Sequence, residues 1–318
     1  MEYAPVSHQV EKHRLGLLPS GDGPTVAVHR YDGGVGPTVY LQATQHGIEI
    51  NGPAVLRRLH ERLLEAEIAG TVVSVPVSNP LAFDQRTYMT PPAFDVVNPN
   101  LNRIWPGDEN GTMLEQLVAR LWEFVADADA VVDLHTGTPD MLEHVRFQNG
   151  DTAAEELAEA FGSEFLLAGT DETTAVTESG GKLRTVASAE GIPTIVPELS
   201  NSRCIDHEAA ERGVSGIENV LRTLDVLPGA TETPTTPTRL KDVGENSVAA
   251  ASGLFEPRPD LSVGDEVATE TRVGTIYCPS TFETRQTVSA PERGVVYSLT
   301  REATVMAGER LAGIATVV

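Results

Sequence analysis

A change of rhythm near residue 228 constrains this chain most. Before it, apolar stretches of strand length alternate with longer segments of helical period; after it come only short strand-like runs split by Gly, Pro and Asp. Strands are expected at 24–31 and 38–44. A helix follows, opening on Asn51 as N-cap with Pro53 in its first turn and running to about residue 67. TVVSVPV at 71–77 is a β-branched strand without polar alternation, as a sheet covered on both faces requires. Residues 78–111 form a Pro/Asn/Gly-rich loop of a length that is usually functional. A helix at 112–127, the buried strand AVVDLH at 130–135, further strand and helix segments, PTIVPEL at 193–199 and a helix at 206–225 complete the pattern. This alternation predicts an α/β domain with a mixed sheet flanked by helices over residues 1–227. PGATETPTTPTRL, 228–240, reads as a linker, and 241–318 as a small all-β module.

Charge narrows the partners. Asp and Glu number 46 against 23 Lys and Arg, a net charge of −23, and the acids are spread along the chain. Such an excess argues against nucleic acid and anionic membranes. It points to a protein of a high-salt, halophilic cytoplasm, where self-repulsion is screened. No apolar run of membrane-spanning length occurs, and the N-terminus lacks the apolar stretch of a secretory signal. The two cysteines, Cys204 and Cys278, make no CxxC motif. A cytoplasmic location is expected; self-association is left open.

The chemistry is concentrated at strand ends. His46 and Glu49 lie where a strand stops and a helix is about to start, at the sheet edge where α/β folds place their sites. Both are zinc-ligand types, three residues apart. His135 ends another buried strand, so it reaches the same edge. Two His and one Glu leave a zinc position open, as in catalytic rather than structural sites. Asp133, on the same strand face as His135, is either a partner of that histidine or a buried structural acid. Glu198 ends PTIVPEL and is placed to move a proton beside a metal. The loop contributes Asn79, Arg86, Asn102 and Arg103, and GKLR contributes Arg184. In so acidic a chain, arginines gathered near a metal site suggest carboxylate binding, because a guanidinium grips a carboxylate with two hydrogen bonds.

Taken in order, QHGIEING, NPLAFDQR, NLNRIWPG, VVDLHTG, GKLR, GIPTIVPEL and a β-rich tail resemble the succinylglutamate desuccinylase/aspartoacylase family, which is related to the zinc carboxypeptidases. The resemblance spans nearly the whole chain. It implies a zinc-carboxypeptidase-like fold and hydrolysis of the amide bond of a small N-acyl amino acid. It also implies one zinc ion held by His46, Glu49 and His135, with Glu198 as general base and acid. Arg86 would polarise the scissile carbonyl, and Asn102, Arg103 and Arg184 would hold substrate carboxylates. The family often has glycine where this chain has Ser200. The tail resembles a lipoyl- or biotin-carrier barrel, but no lysine follows Lys241 to carry a cofactor, so it reads as a structural or pocket-lining module; Tyr277 and Tyr297 are candidates for a substrate contact or else packing residues. Two other readings share the same ligands: a metallocarboxypeptidase acting on peptides, and a non-catalytic metal-binding sensor.

Overall fold

The computed structural model describes residues 2–137, 140–169, 180–232, 236–242, 247–301 and 304–318. Its central strands are β3 (Gly34–Ala43), β4 (Glu67–Val75), β5 (Ala130–Gly137) and β8 (Thr194–Asn201). β4, β3, β5 and β8 lie side by side in that order, all parallel. They are buried on both faces, and alternate residues of one strand enter different cores. Val39, Leu41 and Ala43 of β3 pack with α1 (Asn51–Leu64), α4 (Thr152–Phe161) and α6 (His207–Thr223). Tyr40 between them packs with α3 (Met113–Ala126) and α5 (Leu183–Ala189) on the other side. A strand covered on both sides has no face left for a polar alternation, which is why these segments read as continuous apolar runs.

Outward from β4, β2 (Thr25–Asp32) and β1 (Ser7–Arg14) pair antiparallel, β1 on β2 and β2 on β4. On the other side β8 meets β6 (His144–Phe147) antiparallel, and β6 runs parallel to β7 (Phe165–Ala168). The sheet is therefore mixed, as expected.

The tail does not stop at a sheet boundary. β9 (Thr238–Asp242) pairs parallel with β7, and β14 (Arg310–Val317) and β13 (Gly294–Leu299) continue the same sheet antiparallel. β9 begins inside the stretch read as a linker, of which residues 233–235 lie outside the described residues. A second, antiparallel sheet joins β10 (Gly253–Pro257), β11 (Arg272–Tyr277), β12 (Thr284–Ser289) and the short strand Thr304–Val305. Its core is drawn from the tail alone, around Phe255, Val273, Ile276 and Leu311. A smaller cluster packs tail residues Leu240, Val295, Tyr297 and Ala315 on Leu167 of β7. No described helix is long and apolar enough to cross a membrane.

Two local expectations are corrected. Asn51 is not a cap: Ile50 occupies that position without a side-chain hydrogen bond. The Asn51 side chain is instead buried between elements. Its Nδ2 donates to the carbonyls of Leu199 and Asn201 (2.9 and 3.2 Å), and its Oδ1 accepts from Asp206 N (2.8 Å). The long loop is not structureless. It holds α2 (Pro80–Gln85) and a 3₁₀ turn, Leu101–Arg103. Where capping chemistry was available the helices use it: Thr112 and Glu115 close a reciprocal capping box on α3.

Candidate metal centre and its cavity

β3 delivers the chain into Thr44, whose φ of 64° turns it sharply away from the sheet. The loop that follows is held from outside. Ser78 Oγ donates to Ala43 O (2.9 Å), and Asn79 Nδ2 to Gln45 O (3.0 Å). Asn79 also caps α2, accepting from Ala82 N, and is fully buried. It is an anchor of the loop rather than a recognition group. Gly47 lets α2 approach closely: a Cβ there would lie 2.1 Å from the backbone carbon of Ala82.

The anchored loop places His46 and Glu49 opposite His135, which comes from the end of β5. One donor atom from each of the three lies within 4.8 Å of the others, and all three side chains are buried. His46 Nδ1 is 2.9 Å from Glu49 Oε1, and His135 Nδ1 is 2.9 Å from Glu49 Oε2. The second nitrogen of each ring is engaged elsewhere. His46 Nε2 is 3.3 Å from Asn100 Oδ1, and His135 Nε2 is 3.0 Å from Asp133 Oδ2. Both Nδ1 atoms therefore face the carboxylate.

Asp133 is the partner of His135, and it is itself clamped. Gln42 Nε2 donates to one of its oxygens (2.9 Å) and Gln45 Nε2 to the other (2.6 Å). Gln45 Oε1 in turn accepts from the buried Trp105 Nε1 (2.9 Å). Such outer hydrogen bonds fix the orientation of a ligating imidazole. On the other ring, Tyr88 stacks over His46 with centroids 4.0 Å apart.

Burial alone would raise the Glu49 carboxyl; the charges of His46 and then His135 outweigh it and hold it well below the usual carboxylate range. Burial would lower His135, but Asp133 and then Glu49 raise it. Glu49 Oε2 is a buried oxygen with no directed hydrogen bond, despite its 2.9 Å approach to His135. A buried carboxylate oxygen left so, between two imidazole nitrogens whose far sides are tied back, is what a cation completes. The donor set fits a metal ion.

Glu198 is the Cα register partner of His135 across β8 and β5, and of His144 across β8 and β6. Its side chain is 14% exposed and lines the same cavity. Burial raises its carboxyl above the usual range; His135 opposes this. Arg146 Nε lies 4.0 Å from Glu198 Oε1, and Arg146 Nη1 lies 3.8 Å from Asp242 Oδ2 on β9. The guanidinium sits 5.3 Å from the centroid of the buried Tyr297 ring. Arg146 Nε also donates to His144 Nε2 (3.0 Å), while His144 Nδ1 donates to Leu142 O (2.6 Å). Burial, then the charge of Arg146, pushes His144 down to about 3, so it is a neutral acceptor that positions the arginine.

The cavity, about 240 Å³, is lined by His46, Glu49, His135, Glu198, Asn102, Arg103 and Arg184, together with Tyr88, Arg146, Lys182, Asp242 and Arg310 among others. Seven of the eight side chains to which the family resemblance gives a role thus line one cavity. Arg86 does not: it is exposed, holds a left-handed backbone (φ 56°) at the end of α2, and is not among the lining residues. Asn102 has one amide oxygen committed, accepting from Leu183 N at the start of α5 (3.1 Å). Arg146, Lys182, Asp242 and Arg310 were not foreseen. The signal for Arg146 was available as a single charge inside the apolar strand HVRF. Asp242 and Arg310 come from the tail and carried none. Neither tail tyrosine lines the cavity. Tyr297 lies behind it, its hydroxyl donating to Asp242 Oδ2 (3.2 Å) and accepting from Arg310 Nη1 (3.1 Å). Tyr277 is part of β11, paired with Leu254.

Comparison with known proteins finds relatives in sequence and in fold. The sequence model of the succinylglutamate desuccinylase/aspartoacylase catalytic domain matches residues 35–224. The chain is 27% identical over 307 residues to an N-alpha-acetyl-L-2,4-diaminobutyric acid deacetylase of Halomonas elongata, covering 93% of this chain and 86% of the relative. In fold it is similar to a succinylglutamate desuccinylase/aspartoacylase of Rhodobacter sphaeroides, with a TM-score of 0.83, 23% identity, and coverage of 98% and 95% of the two chains. It is equally similar to the product-bound ectoine utilization protein EutE (DoeB) of Ruegeria pomeroyi, with a TM-score of 0.83, 22% identity, and coverage of 99% and 100%.

Proposed function

The chain belongs to the succinylglutamate desuccinylase/aspartoacylase family, and on that premise we propose that it is a zinc-dependent hydrolase of the amide bond of an N-acyl amino acid. The observation that carries the proposal is the convergence of a buried His46–Glu49–His135 donor set and Glu198 on one cavity. His46, Glu49 and His135 would hold the ion through two nitrogens and a carboxylate, a donor set suited to zinc. When bound, the ion supplies Lewis acidity, making water a stronger acid and polarising the acyl carbonyl.

The chain's own groups then have distinct tasks. Glu198 takes a proton from the attacking water on its carboxylate oxygen and returns it to the leaving nitrogen as the C–N bond breaks. One water is consumed, and an acid and a free amine are released. Five lining side chains, Arg103, Lys182, Arg184, Arg146 and Arg310, are cationic in a chain of net charge −23. They favour a substrate that carries carboxylate, with Asn102, Arg103 and Arg184 as the recognition groups. Arg86 keeps, as a proposal, the polarisation of the scissile carbonyl that the family resemblance gives it, although its side chain is exposed and does not line the cavity. Residues 1–227 are taken as the catalytic unit, and the tail from 241 as the structural module that completes the cavity wall with Asp242 and Arg310. The Halomonas elongata relative makes N-acetyl-2,4-diaminobutyrate the first substrate to test.

The test is metal content by elemental analysis, paired with hydrolysis of N-acyl amino acids and of C-terminal dipeptides, before and after chelation. Chelator-sensitive release of an amino acid from an N-acyl substrate is expected. Preference for dipeptides would favour the carboxypeptidase reading, and zinc binding without turnover the sensor reading.

A further inference from the structure

Three of the chain's eight histidines meet far from the cavity. His8 projects from β1, His29 from β2 and His60 from α1, and one ring nitrogen from each lies within 4.8 Å of the others. His8 Nε2 is 3.1 Å from His29 Nδ1. His60 stands across from both, its ring centroid 4.9 Å from that of His8 and 5.7 Å from that of His29. Tyr31 Oη lies 2.8 Å from His60 Nδ1, which orients that ring. No residue is shared with the catalytic cavity, and His60 is about 14 Å along α1 from the helix start beside Glu49.

We propose that His8, His29 and His60 form a second metal site, taking a borderline transition-metal dication such as Zn²⁺ through three imidazole nitrogens. Several features point the same way. Each residue is half-buried, so the rings are held while a face remains open to solvent for a further ligand. Tyr31 supplies the outer hydrogen bond that metal-bound histidines commonly have. Imidazole is a ligand type for zinc, copper and nickel, whereas the hard cations prefer oxygen. The three ligands belong to the edge strand, its neighbour and a helix, so an ion here would staple the sheet edge to α1.

The test uses Zn²⁺ alone with the full chain. After chelator stripping, the chain is equilibrated with micromolar Zn²⁺ and the bound metal is counted. Two ions per chain are expected, one per chain in His29→Gln with hydrolytic activity unchanged, and one in Glu49→Ala. Two ions retained by His29→Gln, or a single ion in the unsubstituted chain that His29→Gln still binds, would overturn the proposal. A second measurement needs no variant. Carbethoxylation of His8, His29 and His60, read residue by residue by mass spectrometry, should fall several-fold when Zn²⁺ is present. Unchanged labelling of all three would equally remove the site.

Discussion

Glu198 and His135 stand side by side as register partners across two parallel strands, although 63 positions separate them in the chain (198 − 135). The pairing sets a carboxylate next to an imidazole of the candidate metal centre at one sheet edge, with Arg146 4.0 Å away on the antiparallel neighbour.

Glu198→Gln keeps the shape of the side chain and removes its ability to carry a proton. Zinc content is expected to stay near that of the unsubstituted chain while kcat falls by about 10² to 10⁴-fold, the scale of lost general acid–base catalysis. Steady-state kinetics beside elemental analysis checks it. Near-normal kcat would take Glu198 out of the mechanism.

Gly47→Ala should damage the ligand loop without touching a ligand. The added Cβ would meet Ala82 C, Ala82 O and Phe83 N at 2.1, 2.2 and 2.4 Å, all backbone atoms that cannot rotate aside. Either α2 or the His46–Glu49 loop must move, at a cost of about 1–3 kcal/mol or more. Chemical denaturation and zinc affinity measured together read this out. An unchanged value of both would mean the loop is more compliant than its packing suggests.

Asp206 gives a pH-dependent prediction. It caps α6, accepting from Glu208 N and Ala209 N (both 3.0 Å), and accepts from Ser200 Oγ (2.9 Å). The Ala209 bond first, then the Ser200 bond, holds its carboxyl below the usual aspartate range. The folded form thus binds its proton less readily than the unfolded chain. The stabilisation is fully present above the ordinary aspartate pKa and is lost as pH falls through the depressed folded value. Asp206→Ala should cost about 1 kcal/mol at neutral pH. That difference should shrink in acid; urea unfolding of both proteins across pH 3–7, on the order of the aspartate range, follows it. A gap that stays constant into acid would show that the charge is not what stabilises the cap.

Ser200 stands at φ 54°, in the left-handed region that favours glycine. Ser200→Gly relieves that conformation but loses the hydroxyl bond to Asp206, so the net change should be within about 1 kcal/mol. Ser200→Val loses the bond and adds a β-branched residue where φ is positive, and should be clearly the less stable of the two. Thermal unfolding of the pair decides; equal stability would mean that backbone strain at this position is negligible.

Much of this arrangement was legible beforehand because it is local. The end of a buried strand is visible as an apolar run that stops, so the sequence alone assigns His46, Glu49 and His135 to one sheet edge. The same locality misled at Asn51. An Asn before an apolar period is a good cap in isolation, but here its amide bridges three backbone groups of β8 and α6 that no short-range pattern reveals.

By itself the sequence determined the alternating α/β pattern, the change of rhythm in the tail, the three ligand types and the family. Periodicity, turn chemistry and short motifs carry these, and each is written within a few residues. Only the tertiary structure decided which charges face the candidate metal centre. It brought in Arg146, and Asp242 and Arg310 from the tail, left Arg86 on the surface, continued the main sheet into the tail and gathered three histidines at its far edge. The reason is physical: strand register and sheet order set these meetings through hydrogen bonds between segments far apart in the chain, and no local pattern encodes which distant strand becomes a neighbour.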